Sequence, residues 1–136
     1  MSLKILLIDD DDPMRRIMAH TLELGGHCVR QARDGREGLE QLDQGRFDLV
    51  ITDISMPEMD GLEVLAEARR RGYDGKVLAM SGGGVMGLQP NLHVARLMGA
   101  QATLSKPFSP EELETAIQQL APERPSEDEA PLKVER

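Results

Sequence analysis

The 136-residue sequence predicts an α/β domain built on a doubly wound, five-stranded parallel sheet, a (βα)5 arrangement. Short apolar runs alternate five times with amphipathic stretches. The third run, Phe47–Thr52, is continuous in Leu, Val and Ile, as a strand covered on both faces of a parallel sheet should be. Such an alternation implies right-handed crossovers, with helices on both sides of the sheet.

Ile5–Ile8 forms the first strand and ends in Asp9 to Asp12. Pro13 suits the first turn of a helix, with Asp12 as its N-cap. Met14, Ile17, Met18, Thr21 and Leu22 recur at helical spacing until Gly25–Gly26. His27–Ala32 reads as the second strand and places Cys28 as a small buried hydrophobe. Asp34 caps a helix whose apolar face includes Leu39 and Leu42, closed by Gly45. Asp53 sits just beyond the third strand. A loop containing Pro57 precedes a helix carrying Leu62, Val64, Leu65 and Ala68, which stops near Gly72. Lys76–Met80 is the fourth strand and leads into Ser81. A Gly-rich loop, a helix near Leu92–Met98 and a short strand at Ala102–Ser105 follow. The last helix opens on Ser109-Pro110-Glu111-Glu112, with Ser at N-cap, Pro at N1 and Glu at N3, and runs to about Leu120. Three prolines, five acids and three bases among few apolar residues mark 121–136 as a disordered tail beyond a domain over 1–120.

Hydrophobic residues make up 40% of the chain, enough for one core. A chain of this length hides roughly two-thirds of its unfolded surface on folding, so no disulfide or structural metal is needed. Cys28 is the single cysteine, which fits a reducing, cytoplasmic setting. The apolar run at 3–8 falls far short of the roughly 20 residues that span a bilayer. The net charge of −8 opposes direct nucleic-acid binding. The densest basic clusters, Arg15–Arg16 and Arg69–Arg71, lie on predicted helices among acids, and one Tyr and two Phe make no stacking platform.

In doubly wound sheets, ligands collect at the carboxyl ends of the strands. That rule gathers the Asp9–Asp10 pair, Asp53, Ser81 and Lys106, each following a different predicted strand. Alone, Asp9–Asp12 reads equally well as a solvated, helix-capping turn, Lys106 as an ordinary surface lysine, and Ser81 as a helix cap. Together, the acids form an oxygen-only donor set for a hard divalent cation. Calcium and manganese are chemically possible; magnesium is favoured by its partnership with phosphoryl chemistry. A cis Lys106–Pro107 bond would turn the chain sharply and aim the ammonium. The three histidines are scattered without metal-pair spacing.

The segments LLIDDDDPMRRIM, DLVITDISMPEMDGLEVL, VLAMSGG and SKPFSPEEL resemble the signature blocks of two-component response-regulator receiver domains, over roughly residues 3–120. The resemblance implies a flavodoxin-like sheet of strand order 2-1-3-4-5. It implies that Asp53 is the phosphoacceptor, that Asp10, Asp53 and the Ser55 backbone carbonyl ligate Mg2+, and that Asp9 assists through water. It also implies that Lys106 and Ser81 contact the phosphoryl group. A sensor histidine kinase or histidine phosphotransfer protein would be the donor, and an unidentified protein would receive the signal. The face of the fourth helix, fifth strand and fifth helix would make that contact, or a homodimer. Such a protein is no enzyme beyond phosphorylating and dephosphorylating itself.

Three features depart from the family pattern. Thr103 stands where an aromatic residue is usual, so a swinging ring cannot couple site to surface. Gly82, Gly83, Gly84 and Gly87 leave the fourth-strand loop mobile, and without a following Gly-Lys-Ser/Thr they do not form a P-loop. Ser55 and Gly83, both small, occupy positions that govern the approach of water. A phosphorylation-independent docking module is the alternative function. An aspartate-nucleophile phosphatase would place its nucleophile after the first strand instead.

Overall fold

The computed structural model describes residues 2–82 and 90–120. The expected mobile loop at 83–89, with Gly83, Gly84 and Gly87, and the expected disordered tail at 121–136 lie outside the described residues. Strands and helices alternate as β1 (Lys4–Ile8), α1 (Asp12–Leu24), β2 (Cys28–Ala32), α2 (Gly35–Gln44), β3 (Leu49–Asp53), α3 (Gly61–Arg70), β4 (Lys76–Ser81), α4 (Pro90–Leu97), β5 (Ala102–Ser105) and α5 (Pro110–Leu120). Neighbouring strands pair in parallel in the order β2-β1-β3-β4-β5. The (βα)5 arrangement and the strand order both agree with the expectation.

Alternating strand residues feed two separate cores. Leu6, Ile8, Val50, Val77 and Ala79 face α2, α3 and α4, meeting Leu39, Val64, Leu65 and Ala95. Ile5, Leu7, Leu49, Ile51, Leu78 and Met80 face the other way, against Met18 and Leu22 of α1 and Leu113 and Ile117 of α5. This is why the central strands are apolar at nearly every position: each has protein on both sides.

The helix ends are set locally. Met14 N–H donates to Asp11 Oδ1 at 3.1 Å, so Asp11 is the cap of α1 and not Asp12. Glu37 N–H donates to Asp34 Oδ1 at 2.8 Å, as the sequence predicts. Asp60 and Glu63 form a reciprocal capping box on α3. Ser109 and Glu112 do the same on α5, at 2.8 and 3.0 Å.

Two side-chain placements differ from the sequence reading. Ile17 is 63% exposed, because α1 turns Arg15, Met18, Ala19 and Leu22 inward. Cys28 is exposed: β2 is an edge strand, and its pattern is buried only at Ala32. His27, just before it, is the buried residue, and its Nδ1 accepts the Leu3 N–H at 3.1 Å.

Leu78→Ala should cost about 2–5 kcal/mol in urea unfolding, because Leu78 is fully enclosed between β4 and the α1/α5 layer. Ile17→Ala should change stability by no more than about 0.5 kcal/mol.

Candidate functional site

The sheet delivers the polar residues to its carboxyl edge. Asp9 follows β1, Asp53 is the last residue of β3, Ser81 is the last of β4, and Lys106 follows β5. Asp53 therefore belongs to its strand, which ends one residue later than the Thr52 end that the sequence predicts. Asp9 has no exposed surface, and all its polar groups are engaged. Its N–H donates to the Ala32 carbonyl at 3.1 Å. Its Oδ1 accepts the Asp11 N–H at 3.0 Å, and its Oδ2 accepts from Lys106 Nζ at 2.9 Å. The same ammonium lies 3.3 Å from Asp53 Oδ2, while Asp53 Oδ1 accepts the Ser55 N–H at 3.2 Å.

The electrostatics are unbalanced. Burial pushes the Asp53 carboxyl above its ordinary value; Lys106 opposes that shift and Asp9 adds to it. For Lys106, burial alone would lower the pKa, but the Asp9 and Asp53 carboxylates outweigh it and the net shift is upward. The ammonium thus stays charged and still leaves the acids in excess. Carboxylate oxygens of Asp9, Asp10 and Asp53 lie within 4.8 Å of one another, with Asp10 on the exposed side. Clustered hard oxygens, one of them on a carboxylate disfavoured by burial, fit a small divalent cation.

The β3–α3 loop is shaped by close approach. A Cβ at Gly61 would lie 2.4 Å from the Asp53 carbonyl oxygen and 2.7 Å from Ile54 Cα, so only glycine fits here without moving backbone. Met59 N–H donates to the Pro57 carbonyl at 2.7 Å, and Glu58, between them, has φ of 68°. On the opposite side, Lys106 N–H donates to the Ser81 carbonyl at 2.7 Å, and the Lys106–Pro107 bond is cis. Among the described residues, the Ser81 hydroxyl makes no hydrogen bond to Asp53 or Lys106, although Ser81 is buried beside them at the end of β4.

The structure thus brings Asp9, Asp10, Asp53 and Lys106 into one cluster, with Ser55 bonded to it and Ser81 at its edge. Sequence reasoning missed Arg15, which it took as part of a basic patch. Arg15 is 8% exposed, and its Nη1 donates to the Asp9 carbonyl at 2.9 Å. The available signal was its i, i+3 spacing from Asp12, to which it also donates at 2.6 Å.

Residues 5–118 match the response regulator receiver domain family, and the chain belongs to it. Response regulator MprA of Mycolicibacterium vanbaalenii is 38% identical over 114 residues, 83% of this chain and 48% of MprA. The response regulator receiver protein CpdR of Brucella abortus is 35% identical over 117 residues, 86% of this chain and 95% of CpdR. The chain therefore spans about half the length of MprA and nearly all of CpdR. Among solved structures, response regulator TrrA of Thermotoga maritima, in complex with Mg2+-BeF, superposes with a TM-score of 0.76 at 29% identity, covering 87% of this chain and 98% of TrrA.

Gly61→Ala should cost about 1–3 kcal/mol in thermal unfolding, because a methyl group there displaces the Asp53 carbonyl. Asp53→Asn should stabilise the metal-free protein at neutral pH. A carboxyl whose folded pKa is raised weakens the fold once both states are ionised, and the penalty fades as pH falls toward the unfolded value. The gap between wild-type and Asp53→Asn melting temperatures in a chelator should therefore close on acidification; a gap that widens would contradict this origin.

Proposed function

We propose that this chain is a phosphorylation switch in which Asp53 accepts a phosphoryl group from a histidine kinase or phosphotransfer protein in the cytoplasm. The observation that carries it is the Lys106 ammonium held between Asp9 Oδ2 and Asp53 Oδ2 at 2.9 and 3.3 Å, beside three converging carboxylates. The receiver unit runs over 1–120.

Magnesium suits the donor set. Asp10, Asp53 and the Ser55 backbone carbonyl would hold it directly, and Asp9 through water. Bound there, it would neutralise charge on the phosphoryl oxygens. TrrA, in its Mg2+-BeF complex, supports this assignment by likeness.

An Asp53 carboxylate oxygen attacks phosphorus in line, the P–N bond to the donor imidazole breaks, and its electron pair returns to the ring nitrogen. Lys106 is placed to balance charge on a transferred oxygen. Ser81 supplies a hydroxyl from the neighbouring strand. Attack by water on the acyl phosphate resets Asp53.

The output surface is the face of α4, β5 and α5, used for a protein target or a second copy of the chain. Leu97 is 74% exposed on α4, and a groove of about 560 Å³ on this face is lined in part by Arg96, Thr103, Leu104, Glu111, Glu112 and Thr115. Arg96 Nη2 donates to Thr103 Oγ1 at 3.4 Å, so a polar contact stands where an aromatic ring is usual in this family.

Incubation with Mg2+ and acetyl phosphate should add one phosphoryl group by intact mass. Asp53→Ala, or chelation of the metal, should abolish the adduct. An unmodified wild type that still binds its target would instead support a phosphorylation-independent docking module.

A further inference from the structure

Resting on the magnesium site proposed above, we infer that Arg15 is a positioning residue that holds the β1–α1 turn so that Asp9 and Asp10 converge on the cation. An arginine in the first turns of a surface helix ordinarily extends into water. Here Arg16 does so, whereas Arg15 is buried. A guanidinium withdrawn from water is costly unless its donors are used. Those of Arg15 reach three parts of the fold. Nη1 donates to the Asp9 carbonyl at 2.9 Å and to Asp12 Oδ1 at 2.6 Å, and Nε donates to Gln31 Oε1 of β2 at 3.1 Å.

The Asp9 carbonyl belongs to the peptide that joins Asp9 to Asp10. That unit is planar, so fixing its oxygen also fixes the direction in which the chain enters Asp10. One peptide unit earlier, the Asp9 N–H donates to the Ala32 carbonyl of β2. Asp9 is thereby clamped through both its main-chain groups, and Asp10, exposed beside it, leaves from a backbone with little freedom. The contact to Asp12 also engages the last carboxylate of the acidic run, which lies outside the Asp9, Asp10 and Asp53 cluster. Groups that orient metal ligands commonly change affinity 10–100-fold when removed. Lysine cannot replace the arginine fully: its single nitrogen lacks the planar fork that serves Asp9, Asp12 and Gln31 together.

The test is calorimetric titration of magnesium chloride into the full chain, with circular dichroism to confirm folding. Arg15→Met should weaken magnesium binding roughly tenfold. Arg16→Met, which removes the same charge from the exposed neighbour, should leave it unchanged, and Arg15→Lys should fall between Arg15→Met and wild type. At saturating magnesium, Asp53 of Arg15→Met should still be phosphorylated by phosphoramidate, because Arg15 acts through the metal ligands. Should Arg15→Met not fold, Gln31→Ala removes one tether, and a measurable loss of magnesium affinity is expected there. Wild-type affinity in Arg15→Met (or in Gln31→Ala, if that variant decides), equal losses in Arg15→Met and Arg16→Met, or full rescue by Arg15→Lys would each overturn the inference while leaving the proposed function standing. Absence of saturable magnesium binding by the unaltered chain would overturn both.

Discussion

One ammonium shared between two carboxylates is the constraint on which the rest of the structure depends. Lys106 lies 97 residues from Asp9 and 53 from Asp53 in sequence, yet contacts both. Only the strand order makes this possible. β1 and β3 are neighbours, β4 follows, and β5 brings Lys106 to the same edge. Close carboxylates beside the sheet repel one another, and a single cation only partly offsets them. The cluster therefore favours the uptake of more positive charge, which would suit the phosphoryl chemistry proposed for it.

The surrounding structure serves this arrangement at the cost of local freedom. Two apolar layers cover the sheet from both sides. The β3–α3 loop folds back so closely that Gly61 touches the backbone of Asp53 and Ile54, and its turn holds Glu58 at positive φ. α1 is anchored at the same edge by Asp11 as cap and Arg15 as clasp. Loops at the carboxyl edge thus carry the polar chemistry, and the sheet and its helices supply fixed anchor points.

Most of the fold was legible because its signals are local or periodic. The apolar runs, the glycine stops after α1 and α3, and the Asp34 and Ser109 caps depend on residues close in sequence. The gathering of Asp9, Asp53 and Lys106 was legible through the parallel-sheet rule, reinforced by the family resemblance. What escaped depends on tertiary choice. Asp11 and Asp12 are equally good caps on paper; Arg15 decides between them by claiming Asp12. Ile17 fits the helical period as well as its neighbours do, but α1 rotates to bury Arg15 and leaves it outside. Cys28 reads as core because it lies within a predicted strand, whereas β2 is an edge strand with only one neighbour, β1.

In the proposed switch, capture of the phosphoryl group at the carboxyl edge would be separated from its readout along α4, β5 and α5. Thr103 on β5 lies between them, hydrogen-bonded to Arg96 of α4. The most direct measurement of the central claim replaces magnesium with paramagnetic manganese and follows line broadening in amide NMR spectra. Broadening centred on Asp10, Asp53 and Ser55, and displaced by excess magnesium, is the predicted result. Broadening centred elsewhere, or none at all, would contradict a cation site between these carboxylates.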